Sequence, residues 1–353
     1  MKVKQLTIFL MVLGIMGWSS LFAFTGFEVG SQELGGVIQV WGKAEEENHT
    51  SSGQETTYLT SFEMRTVTLW LEGEIVPGYF GYHVEAAFME ELDVTDAYIT
   101  INATRYLDIT AGRFHPEFTL YGPAAVNELE APYDPLLNEY MGPGSQIGIQ
   151  MTRRSRFVQL HVVAFNGSDG PDAWNDSTSS KDALVRADVT LLDWTRFVLQ
   201  GMYGTEALDE YTDGEHLLAG VAVRIDWEML LHLRAEWIRR WREVLDNVGT
   251  REQVSEGILL HLGYHFIPNL EAVVRYEWYD GDIDRSLTWG NSEYAWLERV
   301  MLGVGYEIVP ERLAVHGYYV HHCQEKISSH LWNPQDYYPH FGEEAIIELQ
   351  LSF

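Results

Sequence analysis

From Gly35 to its last residue the chain is written in short segments that alternate apolar and polar side chains with a period of two. Successive strand residues point to opposite faces, so each segment predicts a strand with one greasy and one wet face. No stretch shows a long helical period with clear caps. The segments come in pairs. Seven joins within pairs are tight: Val76-Pro77-Gly78, Ala103-Thr104-Arg105, Arg153-Arg154-Ser155, Leu192-Asp193-Trp194, Ile225-Asp226-Trp227-Glu228, Ile267-Pro268-Asn269 and Val309-Pro310-Glu311. Pro and Gly in three of them suit a turn and not the inside of a ladder.

Between the pairs lie longer connections: Glu45 to Thr57, Phe118 to Gln146, Asn166 to Asp182, Thr205 to Glu215, Val244 to Gln253, Asp280 to Ser292 and Glu325 to Glu343. Glu91-Leu92-Asp93 is the one short member of this set. Short turns alternating with long loops predict an all-β fold, a transmembrane antiparallel β-barrel of sixteen strands, with short periplasmic turns and long external loops. The closing strand, Ile347 to Phe353, puts Ile347, Leu349, Leu351 and Phe353 on one face and Glu348, Gln350 and Ser352 on the other. An even strand count pairs it with the Val37 to Trp41 strand and removes the last free edges.

The N-terminus speaks to compartment. Lys2 and Lys4 precede an apolar run from Leu6 to Gly17, and small residues up to Ala23 offer a cleavage site, so residues 1–23 read as a signal peptide and 24–353 as the barrel domain. The run is short for a span of about 20 residues. Cys323 is the only cysteine, so no intrachain disulfide forms. The 12 Trp and 19 Tyr suit membrane interfaces, where a ring is greasy and its N–H or O–H wet.

Parity also sorts the faces. Phe80, Tyr82, Val84, Ala86 and Phe88 oppose His83 and Glu85; Ala97, Ile99 and Ile101 oppose Asp96, Tyr98, Thr100 and Asn102; Ile258, Leu260, Leu262 and Tyr264 oppose His261 and His265. The wet sets face the lumen. A dry interior would charge each unpartnered polar group several kcal/mol, and sixteen strands leave room for water, so the barrel is expected to be a pore.

Asp96-Ala97-Tyr98-Ile99, then Leu107-Asp108-Ile109-Thr110-Ala111-Gly112-Arg113-Phe114-His115-Pro116-Glu117-Phe118, resembles the phosphate-selective porin O/P family. That family joins an Asp-Ala-Tyr strand to a Gly-(Arg/Gln)-Phe-x-x-Pro-Phe segment. Ala164-Phe165-Asn166-Gly167 and Lys181-Asp182 before Val185-Arg186 are similar to its next landmark, and Glu117 is inserted between Pro116 and Phe118. The resemblance implies a sixteen-stranded homotrimeric porin of the outer membrane whose third loop folds into the lumen. Phe118 to Gln146 has the place and length of that loop, and Pro123, Pro132, Pro135 and Pro143 favour a fixed irregular path. Its constriction candidates are Glu128, Glu130, Asp134 and Glu139.

The formal charge of -29 is concentrated in the expected external loops, at Glu45, Glu46, Glu47 and Glu55, at Asp169, Asp172 and Asp176, and at Glu206, Asp209, Glu210, Asp213 and Glu215. In the lumen, parity places Arg186, Arg196, Arg224, Arg234, Arg275 and Arg299 among Asp188, Asp226, Glu236, Glu271 and Glu277 as pore-lining candidates. Guanidinium forks can guide anions such as phosphate, or pair with these acids to stiffen the wall. The Phe118 to Gln146 segment has no Lys or Arg, which argues for a weakly selective channel.

His321-His322-Cys323 places its two histidines on opposite strand faces, so no metal site is expected there. No phosphate loop, nucleophile elbow or His-Glu-x-x-His pattern is present, and neither catalysis nor a cofactor is expected. The chain reads as a diffusion channel for small hydrophilic solutes and ions, with outer-membrane lipid around it and no nucleic-acid partner. The rival is a scaffold barrel sheathing a periplasmic partner.

Overall fold

A computed structural model of the chain describes residues 31–47, 57–88, 92–122, 131–167, 181–207, 213–228, 230–246, 249–281, 283, 296–324 and 342–353. Among the described residues sixteen strands follow in order: β1 (Gln32–Glu47), β2 (Thr57–Val76), β3 (Phe80–Phe88), β4 (Leu92–Thr104), β5 (Leu107–Phe114), β6 (Gln146–Arg154), β7 (Val158–Phe165) and β8 (Asp182–Leu192); then β9 (Thr195–Ala207), β10 (Asp213–Trp227), β11 (Leu231–Asp246), β12 (Gly249–Ile267), β13 (Leu270–Asp280), β14 (Trp296–Val309), β15 (Leu313–Gln324) and β16 (Gly342–Ser352). Each pairs antiparallel with its neighbours in sequence, and β16 pairs with β1 to close the barrel. The seven tight turns fall where the sequence places them, all at the barrel end that carries the start of β1 and the end of β16. This is the turn end; the opposite rim is the loop end. The signal-peptide residues lie outside the described residues, as do Glu55, Asp169, Asp172, Asp176, Asp209 and Glu210.

Two expected loops are shorter than the sequence reading gave. In place of a Val244 to Gln253 loop, β11 and β12 pair as far as Asp246 opposite Gly249. In place of a Thr205 to Glu215 loop, β9 and β10 pair as far as Ala207 opposite Asp213. Glu206, Asp213 and Glu215 therefore belong to strands, as do Glu45, Glu46 and Glu47 in β1. Alternation of apolar and polar residues marks a strand only where one face is greasy and the other wet; in these end segments the alternation lapses while the antiparallel ladder continues the pairing.

The outer surface of the wall is an apolar belt. Leu260, Leu262 and Tyr264 of β12 are exposed while His261 between them is 2 % exposed, and Leu199, Val221 and Val304 repeat the pattern on other strands. Exposed aromatics gather at the turn end: Tyr79, Tyr106, Phe157, Trp194, Trp227 and Phe266, with the rings of Trp194 and Trp227 stacked at 6.1 Å. Such a girdle is what an interfacial ring of a lipid-facing belt requires.

One bulge re-aims part of the wall. Gln39 of β1 pairs with Thr66 of β2, but the next residue, Val40, pairs with Met64, which leaves Arg65 unopposed. Thr66 and Thr68 are buried inward, whereas Phe62 and Met64, of the same parity, are exposed outward. The extra residue swaps the faces, and Arg65 stands inside with its guanidinium 5.2 Å from the centre of the Trp41 ring.

The seam is closed by the last residue. The Phe353 N–H donates to the Gly36 carbonyl at 3.0 Å and the Gly36 N–H donates to the Phe353 carbonyl at 2.8 Å. A Cβ on Gly36 would stand 2.7 Å from Phe353 Cζ, so glycine makes room for the terminal ring. Deletion of Phe353 removes both bonds and the ring. We expect it to lower the folded, membrane-inserted fraction several-fold while leaving the conductance of folded channels unchanged; normal membrane levels, read by heat-modifiable gel mobility, would contradict this.

Candidate functional site

The described residues of the chain between β5 and β6 lie inside the barrel. Phe118, Thr119, Tyr121, Ala131, Leu136, Leu137 and Met141 are all buried there. A short helix, α1 (Leu136–Met141), begins after Pro135 and ends at Gly142, whose N–H donates to the Asn138 carbonyl at 3.1 Å. It packs on β11, β12 and β13, and Gly257 of β12 lacks the Cβ that would strike Leu137. Phe114, Phe118, Tyr121, Leu136 and Leu137 form one apolar cluster with Leu184, Leu218, Ile238 and Leu259 from the inner wall.

The inserted segment is irregular, so its backbone groups need partners from the wall, and among the described residues arginines supply four of them. Arg186 Nη1 donates to the Thr119 carbonyl at 2.9 Å, Arg275 Nη1 to Tyr133 at 2.9 Å, Arg240 Nη1 to Tyr140 at 3.0 Å and Arg299 Nη1 to Asp134 at 3.4 Å. Glu236 accepts the Leu120 N–H at 3.1 Å with both carboxylate oxygens. The guanidiniums of Arg234 and Arg275 lie 5.4 and 5.1 Å from the Tyr121 ring centre, and that of Arg299 5.1 Å from the Tyr133 ring.

These contacts place the residues that parity sent to the lumen. Arg186 and Asp188 form a two-pronged buried pair at 2.9 and 3.0 Å. Arg275 and Arg299 both meet the buried Glu277, at 3.6 and 3.1 Å. Arg186, Arg234, Glu236, Arg275, Glu277 and Arg299 thus lie beneath the inserted segment. Arg196, Arg224, Asp226 and Glu271 stand toward the turn end, with Arg224 directly opposite Arg196 in register and its Nε 2.6 Å from Asp226. Of the constriction candidates, Asp134 lies 3.9 Å from Arg65 and Glu139 lies 3.7 Å from Arg299, while Glu128 and Glu130 fall outside the described residues.

Because the segment is pinned to one side, open space remains along β2 to β5. This cavity, about 650 Å³, is lined on the wall by Arg65, Thr66, His83, Glu85, Asp96 and His115, and on the segment by Tyr133, Asp134, Asn138 and Glu139. Glu85 accepts from the Thr95 hydroxyl at 2.8 Å, Asp96 lies 3.3 Å from His115, and the His83 ring stacks on Tyr98 at 5.1 Å. Arg65 was missed in the sequence because it is the bulged residue of β2, where the two halves of the strand give opposite parities. Glu85 and Asp96 were legible as wet-face residues, but parity does not say which stretch of wall stays open. His321 and His322 point to opposite faces as expected: His321 Nε2 lies 3.1 Å from Cys323 Sγ, and His322 lies 3.6 Å from Glu344.

No family model matches the chain, and no curated protein matches its sequence. Solved structures do match. The anion-selective porin from Comamonas acidovorans aligns with a TM-score of 0.67 at 12% identity, covering 92% of this chain and 100% of that one. The fold is that of a bacterial porin. OmpF of Salmonella typhi, solved with daunomycin, gives 0.62 at 11% identity, with 92% and 98% covered. OprB of Pseudomonas putida gives 0.60 at 12% identity, with 92% and 94% covered.

The buried arginine cluster makes a distinction that mutants can read. Arg275 is fully buried, so Arg275→Gln leaves the Tyr133 carbonyl and Glu277 short of a charged donor; we expect a loss of about 3–5 kcal/mol, the usual cost of breaking a buried ion pair. Arg196→Gln, at the exposed turn end, should change stability by less than about 0.5 kcal/mol. Urea titration of the barrel in lipid vesicles measures both, and equal midpoints for the two variants would contradict the assignment.

Proposed function

We propose that this chain is an outer-membrane porin, a water-filled channel for passive diffusion of small hydrophilic solutes and ions. One observation carries the reading: a closed sixteen-stranded wall holds an inserted segment that narrows the lumen on one side and leaves a polar passage on the other. The apolar belt and its aromatic girdle give the wall a lipid-facing exterior. The signal peptide at residues 1–23 delivers the chain to the envelope. The protein assembles as a homotrimer, a reading supported by its likeness to the trimer form of OmpT of Vibrio cholerae, which aligns with a TM-score of 0.59 at 11% identity over 92% of this chain. It acts as a channel, without catalysis.

The charge lining the passage favours cations. Four carboxylates, Glu85, Asp96, Asp134 and Glu139, face two guanidiniums, Arg65 and Arg299. The two arginines sit within ion-pair distance of Asp134 and Glu139 and Asp96 stands against His115, so Glu85, held by the Thr95 hydroxyl, adds a negative charge that no guanidinium offsets. Phosphate and other anions pass less readily, because Arg186, Arg275 and Arg299 are committed to the inserted segment and to Asp188 and Glu277.

Planar-bilayer recording of the purified protein tests the proposal. We expect ohmic conductance in symmetric salt and, in a potassium chloride gradient, a reversal potential of the sign for cation preference. Glu85→Gln together with Asp96→Asn should move that potential toward anions. A silent barrel that co-purifies with a periplasmic protein would favour the scaffold reading, and an anion-signed potential in the unaltered channel would overturn the charge argument.

A further inference from the structure

Three neighbouring strands bring two imidazoles and a carboxylate to one point on the lumen wall, away from the narrowed passage. His232 of β11, His265 of β12 and Glu271 of β13 each offer one ligand atom, and the three atoms lie within 4.8 Å of one another. His232 Nε2 stands 2.9 Å and His265 Nε2 3.6 Å from the same oxygen, Glu271 Oε1. Register explains the convergence: His265 is directly opposite Glu271, and His232 is opposite Gly263, whose missing side chain leaves its space to the His232 ring. The His232 ring is held flat against His261, 5.3 Å away and 16° from parallel.

We propose that His232, His265 and Glu271 form a binding site for a late first-row divalent cation, of which zinc is the type. Imidazole nitrogen with one carboxylate oxygen is a donor set suited to zinc, copper or nickel, whereas calcium and magnesium prefer oxygen alone. Bonds of about 2.0–2.1 Å in a tetrahedron hold ligand atoms about 3.3 Å apart. The observed 2.9 and 3.6 Å bracket that spacing. Glu271 Oε1 is buried and accepts no well-directed hydrogen bond although both imidazole nitrogens approach it, which is the arrangement a shared cation would join. His265 and Glu271 are only half-buried, so the cation is reachable from the lumen and keeps a coordination position for water or solute.

Among the described residues a second comparable cluster, His83, Glu85 and Asp96, has its donors engaged: His83 with Glu72 at 3.1 Å, Glu85 with Thr95 and Asp96 with His115. It serves as the internal control.

Isothermal titration of the full-length, untagged protein in detergent with zinc chloride, and with calcium chloride as comparison, tests the site without depending on conductance. We expect one zinc per chain and no comparable calcium uptake. His265→Ala and Glu271→Gln, both at the accessible rim, should each weaken zinc binding by at least about tenfold, while His83→Ala leaves it unchanged. Cobalt in place of zinc should show visible absorption that His265→Ala removes. No zinc uptake, uptake untouched by both rim variants, or uptake lost in His83→Ala would overturn the proposal.

Discussion

The architecture of the channel rests on guanidinium groups that reach from the wall to the backbone of the inserted segment. A sixteen-stranded barrel is too wide for its own side chains to fill, and where an entering segment packs against the wall its backbone carbonyls are cut off from the lumen water. Each such carbonyl needs a donor. A hydrogen bond from a charged donor is worth about 1.5–3 kcal/mol, more than a neutral one, and Arg186, Arg240, Arg275 and Arg299 provide four. Those arginines sit on β8, β11, β13 and β14, so the segment must lie against that half of the wall. The open passage along β2 to β5 is the space they do not claim.

The same groups explain why lumen arginines and channel selectivity are separate matters here. A guanidinium already bonded to a carbonyl and a carboxylate has little left for a passing anion. Glu277 neutralises part of two of them, and Asp188 holds Arg186 through both oxygens. Arg65 escapes this pattern because it is the unopposed residue of the β2 bulge and stands on the free side of the barrel, where it meets Asp134 across the passage. The bulge therefore stands where the faces of β2 exchange, and its unopposed residue contributes a charge to the passage.

Much of the fold was legible in the sequence because the turns carry local signals. Pro77, Gly78, Pro268 and Pro310 announce hairpins whatever happens elsewhere, and the alternation through Ile258 to Tyr264 gives the faces of β12 directly. What alternation cannot show is where pairing continues beyond the greasy belt, which is why the β9–β10 and β11–β12 hairpins extend past their expected ends. Nor can it show partners. Parity sent Arg186 and Arg275 inward, but their contacts with Thr119 and Tyr133 join positions distant in sequence and depend on the path of an irregular, proline-bearing segment. The convergence of His232, His265 and Glu271 needed the register of three strands, a quantity fixed only when the ladders close.

The charge of -29 bears on the passage less than its size implies. At physiological ionic strength exposed charges are screened over roughly 8 Å, so acids on the outer rim act on what approaches the barrel and little on what is inside it. Within the passage the walls are close, and the few charges that line it act at short range, where screening is weaker. Glu85 and Asp96, with two arginines offset by Asp134 and Glu139, set that local field. On the proposed cation preference, neutralising the rim acids leaves the preference in place and neutralising Glu85 and Asp96 removes it, because selectivity follows the charges that a permeating ion cannot avoid.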